Sequence, residues 1–103
     1  MTELEVLIAY DVGLTKIELG AFNGLTKLKQ LLLGFNRIRT ILPGTFECLN
    51  ILENLELNDN RLDQIGNGVF SGLFNLKYID LSGNELQYIH PDSFLGSPYL
   101  QTL

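Results

Sequence analysis

Residues 76–99 read LKYIDLSGNELQYIHPDSFLGSPY, and this 24-residue pattern recurs with substitutions along the rest of the chain. The other copies are residues 4–27, 28–51 and 52–75, with the start of a fifth at 100–103. Every copy opens with leucine, at Leu4, Leu28, Leu52, Leu76 and Leu100. Similarity at a fixed period predicts one repeat domain over residues 1–103, in which each copy packs on the next.

Six further positions of the repeat are almost as uniform as the first. They hold Leu7, Leu31, Leu55, Ile79 and Leu103; Ala9, Leu33, Leu57 and Leu81; Asn36, Asn60 and Asn84; Leu14, Ile38, Leu62 and Leu86; Ile17, Ile41, Ile65 and Ile89; and Phe22, Phe46, Phe70 and Phe94. Val12 interrupts the asparagine row in the first repeat. At roughly 1.5–3 kcal/mol for each fully buried side chain of this size, these rows are expected to form the core.

The residues from Leu28 to Leu33 read LKQLLL and predict a short strand. Because side chains alternate along a strand, Leu31 and Leu33 lie on one face of it. Stacked repeats then form a parallel sheet with strands about 4.8 Å apart. The isoleucine and phenylalanine rows are expected to turn inward from the opposite wall.

Two polar rows fit the same arrangement. An asparagine amide both donates and accepts hydrogen bonds, so the asparagine row can satisfy buried backbone groups where strand becomes loop. Gly20, Gly44 and Gly68 share one place in the repeat, and Asp92 takes it in the fourth copy. This row predicts a turn with positive φ, which glycine adopts freely and aspartate tolerates. A second predicted tight position holds Gly24, Gly72 and Gly96, with Cys48 in the second repeat.

The pattern L-x-x-L-x-L-x-x-N-x-L-x-x-I-x-x-G-x-F-x-G-L-x-x resembles the typical 24-residue subclass of leucine-rich repeats. The resemblance covers Leu4 to Leu103, and its phenylalanine row and repeat length look like those of extracellular members such as Toll-like receptor ectodomains, lamprey variable lymphocyte receptors and insect immune proteins. It implies an α/β-type solenoid with a short parallel sheet on its concave face and loops and 3-10 turns on its convex face. Members outside the cell normally carry cysteine-rich caps, and the sequence shows none. The sequence is therefore interpreted as an uncapped piece of a longer solenoid that self-associates as a homodimer or larger assembly.

In the family, ligands most often contact the outward strand residues of the concave sheet. The positions that correspond here vary between repeats, whereas the core rows do not. The predicted partner-binding residues are Val6, Ile8, Tyr10, Gln30, Leu32, Phe35, Asn54, Glu56, Asn58, Asp59, Tyr78 and Asp80. The first two repeats supply an apolar cluster, and the last two supply carboxylates around Tyr78.

Three interpretations of the apolar cluster remain open at the level of sequence. An exposed patch of this kind marks a partner site or an aggregation liability, and aromatic side chains such as Tyr10 and Phe35 are typical interface anchors. The patch could also be buried in a homodimer, or be covered by another part of the parent protein. The neighbouring Glu56 and Asp80 could in principle act as a glycosidase pair or bind calcium. A solvated acidic face that favours a basic partner is the more common situation.

The composition excludes several functional classes. The formal net charge is −5 and the seven Lys and Arg residues are scattered, which disfavours nucleic acid as a partner. No apolar run approaches the roughly 20 residues of a membrane span, so direct membrane insertion is not expected. A single His90 and a single Cys48 give no metal-ligand spacing. No cofactor, metal or catalytic residue is predicted.

The predicted function is that of a non-catalytic module that binds a protein ligand or co-receptor, in an extracellular or cell-surface parent protein of innate immunity or cell adhesion. The alternative is a structural module whose copies mainly associate with one another. The lack of an N-x-[ST] glycosylation sequence in the chain weakens the extracellular assignment slightly.

Overall fold

A computed structural model describes residues 3–100 and shows one short strand in each of the first two repeats and two short strands in each of the last two, all in parallel pairing. The six strands are β1 (Val6–Ile8), β2 (Gln30–Leu32), β3 (Asn54–Glu56), β4 (Gln64–Ile65), β5 (Tyr78–Asp80) and β6 (Tyr88–Ile89). Strands β1, β2, β3 and β5 form a four-stranded sheet in that order, and β4 pairs with β6 in a second, two-stranded sheet. Apart from Leu100, the predicted start of a fifth repeat lies outside the described residues. This architecture confirms the predicted solenoid with its parallel sheet.

The strands pair in the register that the 24-residue period predicts. Leu31 lies opposite Leu7 on one side and Leu55 on the other, and Leu55 lies opposite Ile79. A shift of one residue in this register would turn every core leucine toward solvent. The pairing is therefore set by burial of the leucine rows.

The core runs along the solenoid axis and consists of the uniform rows. Leu28, Leu31, Leu55 and Leu57 have no exposed surface, and Phe46 is fully buried. The phenylalanine rings stack from repeat to repeat, with centroid separations of 5.9, 6.3 and 5.5 Å and interplanar angles of 15 to 19°. The stack joins all four repeats into one continuous core.

The row of Ile89 is only partly buried. Ile41 and Ile65 are buried, whereas Ile89 and Leu4 are exposed, so the prediction that these rows face inward throughout is wrong for both. Each of the two belongs to a repeat that has a described neighbour on one side only. A single repeat cannot enclose its apolar side chains without a second neighbour.

The side of the solenoid opposite the four-stranded sheet is built from consecutive tight turns. In the first repeat the N–H groups of Ala21, Asn23 and Leu25 each donate to the carbonyl three residues earlier, at 3.0 to 3.1 Å. The described residues contain no helix long and apolar enough to cross a membrane. Turns of this kind return the chain to the sheet within one repeat.

The glycine rows are only partly explained by backbone conformation. Gly20, Gly44 and Gly68 have φ between 82 and 87°, as predicted. Asp92 does not adopt positive φ, so that part of the prediction is wrong. Its amide instead donates to Nδ1 of His90 at 3.1 Å, and this local bond stabilises a turn without the unfavourable left-handed conformation.

The second glycine row adopts positive φ at Gly24 and Gly72. Gly72 has a φ of 91°, and an added Cβ would lie 2.5 Å from the backbone of Glu47. Gly96 has open space around it and no positive φ, so it is not the tight position that the row predicted. Cys48 fills the same place with its thiol, which donates to the carbonyl of Phe22 at 3.2 Å.

Candidate functional site

A ladder of asparagine side chains fixes where each strand ends and its loop begins. Oδ1 of Asn60 accepts from the amide of Ile38 at 3.1 Å, and its Nδ2 donates to the carbonyl oxygens of Leu33 and Leu57, each at 3.1 Å. Asn36 and Asn84 repeat this pattern one repeat away on either side. The ladder binds the backbone of adjacent repeats together, and it holds the ends of the strands in one line.

A second asparagine pair, which the sequence analysis missed, links the repeats on the opposite side. Nδ2 of Asn50 donates to the carbonyl oxygens of Glu47 and Gly72, and Nδ2 of Asn75 donates to the carbonyl of Asn50. These two residues occupy adjacent rather than equal places in their repeats. A comparison of equivalent positions between repeats therefore could not have found this pair.

The sheet brings the predicted partner-binding residues together in two straight rows on its outward face. Val6, Gln30, Asn54 and Tyr78 lie opposite one another in one row, and the other row holds Ile8, Leu32, Glu56 and Asp80. Tyr10, Phe35, Asn58 and Asp59 follow at the carboxyl ends of their strands. The twelve residues that the sequence proposed thus form a single surface, and we name it the concave face.

The half of the concave face on β1 and β2 is apolar and open to solvent. Ile8 retains 62% and Phe35 56% of its accessible surface, and Val6 is also exposed. The rings of Tyr10 and Phe35 meet edge to face with their centroids 6.5 Å apart and an interplanar angle of 72°. We call Val6, Ile8, Tyr10, Leu32 and Phe35 the apolar half of this face.

The other half carries three carboxylates in partly buried positions, Glu56, Asp59 and Asp80. Tyr10 joins the two halves, because its hydroxyl donates to Oε1 of Glu56 at 2.5 Å across an intervening repeat. Oε2 of Glu56 accepts from Nδ2 of Asn54 at 3.3 Å. We call the three carboxylates the acidic half.

Neutral donors hold the other two carboxylates of the acidic half. Oδ1 of Asp80 accepts from both the amide and the hydroxyl of Ser82, and Oδ2 of Asp59 accepts from Nδ2 of Asn58 at 3.0 Å. None of these donors carries a charge. The three carboxylates are therefore oriented without being neutralised.

The carboxylates change the acidity of both tyrosines on this face. The hydrogen bond to Glu56 raises the pKa of Tyr10 above its ordinary value, with desolvation and the charges of Glu56 and Asp80 contributing less. The negative charge of Asp80 is the main cause of a raised pKa at Tyr78. The carboxylates thus make both phenol groups harder to ionise.

One row beside the strands has an unusual backbone that the sequence analysis did not identify. Asp11, Phe35 and Asp59 have φ values of 51, 57 and 55°, and Gly83 occupies the same place with 72°. Aspartate and glycine tolerate this left-handed region, but a bulky residue in it is a true outlier. The Asp, Phe, Asp, Gly composition of the row was the available signal. Phe35 combines backbone strain with an exposed ring.

Gly34 and Asn58 pack closely between the two halves. Gly34 is buried, and a Cβ on it would lie 2.7 Å from Oδ1 of Asn58. Because the φ of Gly34 is not positive, a larger residue here would chiefly require the side chain of Asn58 to move. This contact places the side chain of Asn58 over the end of β2.

Within residues 3–100 there is no group of three or more His, Cys, Asp or Glu side chains placed to hold a metal ion. The concave face instead presents an array of side chains on a hydrogen-bonded sheet. A ligand would bind to it by complementarity of shape, apolar surface and charge.

A sequence model of the leucine rich repeat matches residues 2–62 and 51–103, which together cover nearly the whole chain. The chain belongs to the leucine-rich repeat family. This family membership accounts for the parallel sheet, the asparagine ladder and the stacked phenylalanines as one recurrent architecture.

Among solved structures, the leucine-rich repeat chain is similar to TLR13 in the crystal structure of the TLR13–ssRNA13 complex. The identity is 38% over 81% of this chain, with a TM-score of 0.77. The chain spans about 12% of the length of that TLR13 chain. No curated protein sequence matches the present chain significantly. The leucine-rich repeats described here are thus similar to those of Toll-like receptor ectodomains.

Proposed function

We propose that this leucine-rich repeat segment is a non-catalytic recognition module that binds a protein ligand or co-receptor on its concave face. The observation that carries the proposal is the contrast between rows. Core rows hold the same residue type in repeat after repeat, whereas the two outward rows of the sheet change from Val6 and Ile8 to Tyr78 and Asp80. Outward rows that vary from repeat to repeat above a uniform core support a role for this face in selecting a partner.

The scaffold supports this function by holding the outward side chains rigidly. Each strand is anchored through its buried leucines, and its end is fixed by the asparagine ladder. A surface that is ordered before binding loses little conformational entropy when a partner docks. Binding energy then depends on the exposed side chains, chiefly on anchors such as Tyr10 and Phe35.

A protein ligand fits this face better than a nucleic acid does. The structurally similar TLR13 was crystallised with single-stranded RNA. In the present chain the outward rows contain carboxylates and no lysine or arginine, and contact with phosphates depends on such cations. We assign the chain to an extracellular, cell-surface or endosomal parent protein, with a role in innate immunity or adhesion, on its similarity to Toll-like receptor ectodomains.

Peptide selection with matched surface variants tests the proposal. The chain is used to select binders from a phage-displayed library of random 12-residue peptides, and the selected peptides are measured against L32S/F35S and against the convex control L42S/F74S. Leu42 and Phe74 are exposed apolar residues outside the concave face. Loss of binding with L32S/F35S alone is the expected result. Binding that survives it, or that is lost only with L42S/F74S, contradicts a concave site.

Self-association is a second candidate function, and one observation favours it. Leu7, Ala9 and Leu14 of the first repeat are only partly buried and line an apolar cleft of about 300 Å³ together with Phe22 and Leu33. Burying this surface against a second copy would be favourable at about 25 cal/mol per Å². Sedimentation equilibrium is expected to show concentration-dependent mass. A single monomeric species throughout the micromolar range would exclude this function.

A further inference from the structure

The two halves of the concave face lie side by side on paired strands, and the side-chain hydrogen bond from Tyr10 to Glu56 connects them. Resting on the function proposed above, we propose that the partner is a basic, apolar polypeptide segment that lies across the strands. An aliphatic or aromatic side chain of the partner packs on the apolar half, and a lysine or arginine of the same segment binds at the acidic half.

The apolar half requires an apolar occupant. Ile8 and Phe35 keep more than half of their surface in water, and Phe35 holds its ring outward from a left-handed backbone conformation. An apolar side chain of the partner would remove the exposed rings and Ile8 from water together.

The acidic half determines the charge of that occupant. Among residues 3–100 the ion pairs are Lys16–Glu18 and Lys77–Glu53, and neither involves Glu56, Asp59 or Asp80. The outward rows of the sheet provide no cation. A partner with a negative charge here would be repelled, whereas a partner with a positive charge gains both attraction and orientation.

The carboxylates are already oriented to receive a cation. Glu56 is held by Tyr10 and Asn54, and Asp80 by Ser82. Since the donors are neutral, the full negative charge remains for the partner. The rigid carboxylates need no reorganisation on binding, so a planar guanidinium or an ammonium group can bind without an entropic cost to the face.

The sheet geometry also sets the spacing within the partner. The centres of the two halves are two strands apart, which is roughly 10 Å at 4.8 Å per strand. An extended segment covers this distance in about three residues at 3.3 Å each. A helix covers it in about seven residues, at 1.5 Å each. The apolar anchor and the basic residue of the partner are therefore expected at one of these two separations.

The test uses the peptides selected above and the double variant E56Q/D80N. Glutamine still accepts the hydrogen bond from Tyr10, and Asn54, whose buried Oδ1 has no partner, can rotate its amide to accept from the new NH₂ group. The variant therefore removes charge while preserving shape. Its control is E18Q/E47Q, which removes two charges from exposed positions outside the concave face.

We expect the enriched peptides to combine an aliphatic or aromatic residue with lysine or arginine at the stated spacing. Their binding should weaken at least tenfold in E56Q/D80N and in L32S/F35S, and by less than twofold in E18Q/E47Q. Two results would overturn the partner chemistry and leave the proposed function unaffected. One is selected peptides whose binding depends on Leu32 and Phe35 but which lack basic residues, and the other is binding that is unchanged in E56Q/D80N. If the selected peptides bind both concave variants as well as the unchanged chain, or if no peptide is enriched, the partner chemistry and the proposed function are both overturned.

Discussion

Replacing Asn60 by alanine tests the asparagine ladder that sets the ends of the strands. Asn60 is the middle member of the ladder and has a described repeat on either side. In Asn60→Ala the amide of Ile38 loses the side-chain oxygen that accepts from it. The carbonyl oxygen of Leu33 keeps a second donor in Asn36, and that of Leu57 keeps one in Asn84. One buried N–H is therefore orphaned, and the other groups lose a shared bond.

The expected cost follows from these contacts. An orphaned buried donor costs about 2 kcal/mol, within the usual range of 1–3, and the lost shared bonds add about 1 kcal/mol. The free energy of unfolding should therefore fall by about 3 kcal/mol. A domain of this size has roughly 5–15 kcal/mol in total, so the variant should still fold. The midpoint of thermal unfolding should fall by at least about 12 °C.

Urea denaturation followed by circular dichroism measures this change, with the slope of the transition checking that the folded and unfolded states remain comparable. Asn67→Ala is the matched control, because Asn67 is exposed in a convex turn and its replacement should cost less than about 0.5 kcal/mol. Equal stability of the two variants would refute the structural role assigned to the ladder.

Three further changes have defined outcomes. Phe35→Asn should raise the free energy of unfolding by about 1 kcal/mol, because asparagine tolerates a φ of 57° better than phenylalanine does. Calorimetry measures this change, and a lower free energy of unfolding in the variant would contradict the prediction. Gly72→Ala should destabilise by more than 2 kcal/mol through its 2.5 Å clash, whereas Gly66→Ala, with open space around it, should leave urea denaturation nearly unchanged. The folded state raises the pKa of Tyr10, so the stabilisation linked to its proton is present below pH 10 and is lost as the pH rises further. In Glu56→Gln, spectrophotometric titration should show Tyr10 ionising at lower pH than in the unchanged chain. An unchanged titration would contradict the hydrogen bond from Tyr10 to Glu56.

The parts of the fold that the sequence predicts are those that recur. Leu31, Leu55 and Phe46 repeat at one spacing, and burial of a repeated apolar side chain has one explanation. Eight of the twelve outward residues could be named because alternation along a strand places them opposite the leucines, whereas Tyr10, Phe35, Asn58 and Asp59 follow the ends of the strands. The exposure of Ile89 departs from its row, since burial depends on neighbouring repeats as well as on the residue.

The remaining features depend on contacts between residues at different places of the repeat, or on the local backbone conformation. The bond from Tyr10 to Glu56 crosses an intervening repeat, and it depends on the length of both side chains. The left-handed conformation at Phe35 is imposed by its repeat, although phenylalanine does not favour it. Asp92 shows the reverse situation, in which a local bond to His90 replaces the backbone conformation of its row. The composition of its row gives a signal for the conformation of Phe35, whereas tertiary geometry alone decides the other two cases.

Hydroxyl-radical footprinting of the chain, free and bound to a selected peptide, reads the exposure of each aromatic ring and so distinguishes the buried phenylalanine stack from the concave face. In the free chain Phe35 and Phe74 should react readily, since they are 56% and 55% exposed, whereas Phe46 and Phe70 should be inert at 0% and 2%. The bound peptide should protect Phe35 and leave Phe74 unchanged. Reaction at Phe46, or protection of Phe74 in place of Phe35, would contradict a solenoid that binds its partner on the concave face.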